Sequence, residues 1–320
     1  MTLQQFKYVL AVETHKNFGL AAEACHVAQP SLSVQIKKLE EDLGITLFNR
    51  STTGGVQVTE AGKFAIEKMR EILTAVQSLE DECQVFNKVV KGTLRLGIIP
   101  TIGPYLVPYF LEDLRKQYPE LHVEIVEEKT EHLMRELTNG RIDTAILSTP
   151  KKTPGDFIER TLYYEPFMIY ASQGHALLQK IEVPMNQLSN FSVTLLDETH
   201  CMRDQVSEAC GLNEVNKGGS VKLATGSLQT LISIVDKSDS YTLIPKLAEN
   251  VLHFEHPRSG LREIKTTPYR KVSLLYHPNF GRKSLIDAFY GVLKASLPET
   301  VSQKNPKGAV MDVSKDHFPS

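Results

Sequence analysis

Gln29-Pro30-Ser31-Leu32-Ser33-Val34-Gln35-Ile36-Lys37-Lys38-Leu39-Glu40-Glu41-Asp42-Leu43-Gly44 reads as one whole helix with both ends marked. Pro30 falls in the first turn, where its missing N–H is no loss. Gly44 suits a left-handed C-cap. Leu32, Ile36, Leu39 and Leu43 form one apolar stripe, so the opposite face is polar. Upstream, Leu3, Phe6, Val9, Leu10 and Val12 predict an amphipathic helix over 3–14, and Leu20-Ala21-Ala22-Glu23-Ala24-Cys25 a second. Downstream, Leu47-Phe48-Asn49-Arg50 and a turn at Thr53-Gly54-Gly55 read as a β-hairpin. Three short helices followed by a hairpin suit a helix–turn–helix. A small helical domain with a merely solvated polar face would show the same spacing.

In a helix–turn–helix the second helix enters the major groove, and its early residues reach base edges. Those residues here are Gln29, Pro30, Ser31, Ser33, Val34 and Gln35. Gln pairs bidentately with adenine, Ser serves as donor or acceptor, and Pro or Val meets a thymine methyl. Lys37, Lys38 and Arg50 suit phosphates, which position a domain without specifying sequence. The charge balance gives no such hint. The first 60 residues hold five Lys/Arg against six Asp/Glu, and the whole chain is at −2. The basic footprint usual in nucleic-acid binding is therefore absent.

From Glu60 to about Val90, Ala65, Met69, Ile72, Val76, Leu79, Cys83, Phe86 and Val90 alternate spacings of four and three. That is a coiled-coil seam, which makes the chain at least a dimer and faces Cys83 toward its symmetry mate. One long helix lying on its own core is the alternative. Beyond Gly92 strand and helix patterns alternate: strands at 93–99, 121–126 and 143–147, helices near 105–118 and 131–139. This rhythm predicts a parallel α/β sheet. A second set follows, with strands near 167–171, 191–196 and 241–244 and a helix near 227–236. A late strand (272–276) and helix (284–296) return to the first sheet. After Pro298 the chain is polar and aperiodic and reads as disordered.

No apolar run approaches the ~18 residues of a membrane span, and the N-terminus lacks the layout of a signal peptide. A cytoplasmic location is expected. There thiols are reduced by default, so any pairing among the four cysteines would be a regulated event. No metal-ligand spacing, glycine-rich phosphate loop or hydrolase triad is evident, so neither a metal nor a cofactor is expected.

Ala21-Ala22, the Gln29–Gly44 stretch, Leu47-Phe48-Asn49-Arg50 and Val58-Thr59-Glu60-Ala61-Gly62 closely resemble the LysR family of transcription regulators. The resemblance covers about residues 1–297. It implies a winged helix–turn–helix (1–59), a linker and dimerisation helix (60–91), and an effector domain like the periplasmic binding proteins (92–300). The effector domain would comprise two α/β subdomains, about 92–165 with 268–300, and 166–267. The fold class is thus α+β and α/β, ahead of a polar tail (301–320). The resemblance also implies double-stranded promoter DNA, a tetramer of the chain and RNA polymerase as partners. Two positions depart from the family. Ala28 stands where Ser is usual, removing an N-cap or phosphate contact, and Thr53-Gly54-Gly55 lacks the wing's basic residue.

Within that family, His200-Cys201-Met202-Arg203-Asp204-Gln205, with Cys210 nine residues after Cys201, is similar to the peroxide-sensing branch. Ile99-Pro100-Thr101-Ile102-Gly103-Pro104-Tyr105-Leu106 and Glu128-Lys129-Thr130-Glu131-His132 match the same branch. The resemblance implies that Cys201 reacts with hydrogen peroxide, that Cys210 resolves it as an intramolecular disulfide, and that a thiol reductant resets the pair. It places Thr101, Thr130 and His200 in the peroxide pocket. The residues say something by themselves. A reactive cysteine must become a thiolate, which needs positive charge or donors beside it. His200 and Arg203 flank Cys201 closely enough to supply both, and Asp204 joins that pocket. The plain alternative is two small buried thiols, the reading preferred for Cys25 and Cys83. Were 201–210 helical, its ends would lie about 13 Å apart. A disulfide needs Cα atoms within roughly 7 Å, so the segment would have to unwind.

Three rival functions remain: a LysR-type regulator responding to a metabolite bound between the subdomains, a thiol peroxidase, and a solute-binding protein. Nothing resembles a thioredoxin-like fold, which argues against the second. The third would need a signal peptide and no helix–turn–helix.

Overall fold

The computed structural model describes residues 1–51, 55–85, 90–150, 157–197, 200–211, 227–250, 260–307, 309–313 and 318. The side chains at 50, 51, 55, 77, 78 and 80–85 lie outside that description, and with them the expectations for Arg50 and Cys83. The chain divides into two compact units, one of residues 1–88 with 279–282 and one of residues 89–278 with 283–320. Among the described residues no helix is long and apolar enough to cross a membrane.

In the first unit, α1 (Leu3–His15) is opened by a capping box between Thr2 and Gln5. Helix α2 (Phe18–Ala24) starts two residues earlier than its apolar pattern, because the Asn17 side chain accepts from the Gly19 and Leu20 N–H groups. Helix α3 (Gln29–Leu43) has the predicted ends, with Gly44 left-handed at φ 69°. Strands β1 (Phe48–Ser51) and β2 (Gly55–Val58) pair antiparallel as the wing. Helix α4 (Glu60–Val85) follows. Its first turn presses so close to β1 that a Cβ on Gly62 would stand 2.4 Å from the Leu47 carbonyl oxygen. Phe6, Val9, Val12, Leu32, Ile36, Leu39, Leu47, Ile66 and Met69 form the core, with Cys25 half-buried against it. Of the seam residues, Met69 belongs to this core, whereas Ile72 and Leu79 are 44% and 65% exposed.

In the second unit, β3 (Gly92–Ile98) pairs in parallel with β4 (Leu121–Glu127) and β5 (Thr144–Ser148). Helices α5 (Gly103–Gln117) and α6 (Thr130–Thr138) make the crossovers. Strand β6 (Ile158–Ala171) is followed by β7 (Glu182–Pro184), α7 (Cys201–Ala209), α8 (Leu228–Val235) and β8 (Tyr241–Pro245). Strands β9 (Gly260–Lys265) and β10 (Tyr269–Tyr276) and helix α9 (Lys283–Ser296) close the fold. Among the described residues the sheet order is β4-β3-β5-β10-β6-β9-β7, with β8 also on β6. The late strand returns to the first sheet as expected, but antiparallel to β5, so the sheet is mixed. Strand β6 pairs with β10 up to Pro166 and with β8 from Phe167 onward.

Three expectations need correction. The strand expected over 191–196 shrinks to a single bridge, Val193 with Tyr241. Strands β7 and β9 have no counterpart in the sequence reading, because one is three residues long and the other carries Arg262, Glu263 and Lys265. The tail is ordered where it is described: Val301, Met311, Val313 and Phe318 are buried. Its backbone bridges Tyr164 at Ser302 and Tyr269 at Val310. Sparse apolar residues, each seated singly, leave no periodicity to read.

Candidate functional site

Cys201 is the first residue of α7, and Thr130 is the first residue of α6. Both therefore sit where free N–H groups and the helix dipole favour negative charge. The two side chains meet, with Cys201 Sγ 3.1 Å from Thr130 Oγ1. Beneath them lies Arg270 on β10, 1% exposed. It stands directly opposite Glu165 on β6 in the antiparallel register, and cross-strand neighbours are within side-chain reach. Arg270 Nε and Nη2 donate to Glu165 Oε2 at 2.8 and 2.7 Å. Its remaining donors reach Thr101, Nη1 to Oγ1 at 3.1 Å and Nη2 to the carbonyl at 2.9 Å. Glu165 also accepts from the Leu247 N–H at 2.8 Å.

Burial dominates the electrostatics at the sulfur. It pushes the Cys201 thiol up to about 12; the Thr130 hydroxyl pulls down, the Asp204 carboxylate pushes up, and the Arg270 guanidinium pulls down. Neither His200 nor Arg203 is among the groups that act on the sulfur here; burial opposes the thiolate that the sequence reading expected. Arg203 donates through Nη1 to the Leu196 carbonyl at 2.9 Å, and the guanidinium that acts on the sulfur is Arg270. His200 is the buried N-cap residue of α7, with Nε2 3.8 Å from Asp197 Oδ2. Thr101 is held by Arg270 and Thr130 touches the sulfur, so both lie at this site.

Cys210 is the C-cap of the same helix. Burial pushes Cys210 up to about 11. The Tyr241 hydroxyl, which donates to the Leu188 carbonyl at 2.9 Å, acts on its thiol, pulling it down. Both cysteines are free thiols. With α7 intact between them, nine residues at ~1.5 Å rise hold their backbones about 13 Å apart. The fully buried Gln205 fastens the middle of α7 to β5, its Nε2 donating to Ser148 Oγ at 3.1 Å.

Arg270, Glu165, Gln205 and Tyr241 escaped the sequence reading. Arg270 lies 69 positions beyond Cys201, and no local spacing links them; only strand register does.

On the first unit, α3 exposes Gln29, Pro30, Ser31, Val34, Gln35, Lys37 and Lys38, with Ser33 half-buried. Val34 is 64% exposed, an apolar side chain left on a polar face. Ala28 is the N-cap residue and provides no side-chain hydrogen bond, as its departure from the family implies.

Residues 3–63 match the bacterial regulatory helix-turn-helix protein, lysR family, and residues 87–298 match the LysR substrate binding domain. The chain belongs to the LysR family. This LysR chain is 36% identical over 281 residues to the "hydrogen peroxide-inducible genes activator" of Haemophilus influenzae, spanning 87% of this chain and 91% of that one. It is 32% identical over 300 residues to the "DNA-binding transcriptional dual regulator OxyR" of Escherichia coli K12, spanning 93% and 96%. Among solved structures, it superposes on full-length OxyR of Pseudomonas aeruginosa, a cysteine-to-aspartate variant, with TM-score 0.77 at 29% identity, covering 92% and 98%. A hydrogen-peroxide-bound cysteine-to-serine OxyR of Corynebacterium glutamicum gives TM-score 0.63 at 30% identity, covering 92% of each chain.

Proposed function

We propose that this LysR-family regulator senses hydrogen peroxide by forming a reversible disulfide between Cys201 and Cys210, and thereby controls oxidative-stress genes. One observation carries the reading: Cys201 touches the Thr130 hydroxyl at the start of α7, while Cys210 occupies the other end of the same helix. Once deprotonated, Cys201 sulfur attacks one peroxide oxygen; the O–O bond breaks, the departing oxygen takes a proton, and water leaves. Thr130 and Thr101 supply the hydroxyl donors for that oxygen. Cys210 sulfur then attacks the Cys201 sulfenic acid, the S–S bond forms and a second water leaves. Two thiols have lost two electrons, and peroxide has become two waters. A cytoplasmic dithiol returns those electrons by exchange.

Signal leaves through DNA. Helix α3 reads the major groove of promoter sites, α4 joins two chains along Ile72 and Leu79, and the assembly, a tetramer, engages RNA polymerase. The chain is a regulator rather than an enzyme. Replacing Lys38 by Ala should weaken binding about equally on all duplexes and reduce the salt slope by about one. Gln35→Ala should instead narrow the gap between cognate and non-cognate DNA by about 1–3 kcal/mol per lost base contact. Salt titrations on two duplexes separate the two, and an unchanged gap for Gln35→Ala removes that residue from readout.

The direct test counts thiols. One equivalent of hydrogen peroxide should take the reduced chain from four titratable thiols to two, with the missing pair mapped to Cys201 and Cys210. A count that stays at four, or a loss mapped to Cys25 or Cys83, overturns the reading.

A further inference from the structure

The segment after α9 lies beyond the matched substrate-binding domain, which ends at 298. It is nevertheless fastened to the second unit at two points. Ser302 exchanges backbone hydrogen bonds with Tyr164, at 2.7 and 3.0 Å. Farther on, the Tyr269 N–H donates to the Ala309 carbonyl at 2.8 Å, and the Met311 N–H to the Tyr269 carbonyl at 2.7 Å. Met311 and Val313, on either side of Asp312, are 5% and 3% exposed. Between them the Asp312 N–H donates to Glu208 Oε2 at 2.9 Å. Glu208 belongs to α7, two residues before Cys210.

We infer that the tail over 301–313 is a strap that holds the C-terminal end of α7 in its reduced path and thereby sets how readily the disulfide closes. The inference rests on the proposed peroxide reading. Closing Cys201 onto Cys210 requires the backbone ends to move from about 13 Å to within roughly 7 Å. A helix cannot do this while it remains a helix. Glu208 lies within the last turn, so its carboxylate leaves the Asp312 N–H when that turn unwinds. A contact present only in the reduced form stabilises that form against the oxidised one, and the two are linked. The Gln205–Ser148 hydrogen bond holds the middle of α7 in the same sense. The strap differs in being an appendage whose own docking must respond to the redox state.

The test uses the full-length chain. Asp312→Pro removes the N–H donor together with the carboxylate that accepts from the Val313 N–H at 3.0 Å; Glu208→Ala removes the acceptor alone. Each should speed disulfide closure after peroxide by about fivefold, the factor that one hydrogen bond of ordinary net strength represents. The double variant should gain no more than either single one, because both break one contact. Hydrogen exchange reads the converse: the Met311 and Asp312 amides should be protected in the reduced chain and lose that protection once the disulfide forms. If the disulfide forms with 309–313 equally protected in both states, or if both variants close at the wild-type rate, the strap is wrong and peroxide sensing stands. If no chain forms the Cys201–Cys210 disulfide, the sensing reading fails and the strap falls with it.

Discussion

Cys201→Ser should abolish the peroxide response outright, whereas Cys210→Ser should split it into its two halves. Serine keeps the size and the contact with Thr130 but cannot be oxidised by peroxide. Without the sulfenic acid nothing drives α7 out of its path. In Cys210→Ser the first step survives: Cys201 still consumes one equivalent of peroxide, and a sulfenic-acid reagent labels it. The labelled state decays without a lasting product, since no thiol waits to condense with it. Promoter activation and peroxide consumption, measured in parallel, resolve the two variants. A Cys201→Ser chain that still responds to peroxide would pass the function to the metabolite reading. Structures of the reduced and oxidised chain complete the test, because 201–211 must follow different backbone paths in the two.

Arg270→Met should be among the most destabilising single changes in the second unit, by about 3–5 kcal/mol. The cause is the buried charge left behind on Glu165, which is 0% exposed. Adding Glu165→Gln should return much of that loss, since a neutral amide still accepts from the Leu247 N–H. It should not return reactivity. Thr101 loses the two donors that fix it, and the Cys201 sulfur loses a cation that favours its ionised form. A denaturant midpoint recovering toward wild type while the peroxide rate stays at least tenfold down shows that Arg270 prepares the site as well as bracing the sheet. Recovery of both would make it a brace alone.

Much of this was legible in the sequence, and the exceptions share a cause. Helix α3 announced both its ends, because Pro30 and Gly44 act through local backbone rules. Strands β3 and β5 announced themselves through apolar runs, since a buried strand needs them on both faces, and the edge strand β4 through alternation. Cys201, Cys210 and Thr130 were recognisable by resemblance. What stayed hidden depends on pairing between distant segments. Arg270 meets Glu165 only through the β6–β10 register, and Gln205 meets Ser148 only after α7 lies on β5. Arg203 looked like the useful cation because it is adjacent in sequence; the chain turns it to the Leu196 carbonyl instead. The environment of the sulfur was hidden for a related reason. Neighbouring charges can be read from a sequence, but desolvation cannot, and here desolvation outweighs them.

That buried sulfur has a consequence for what the chain ignores. Cys201 is 3% exposed, so encounter with it requires passage through a gap rather than collision with a surface. Bulky electrophiles and alkylating agents should therefore react slowly with Cys201 in the folded chain, because its sulfur is covered and burial disfavours its ionised form. Alkylation of the folded chain followed over time, against the same reaction in denaturant, measures that protection.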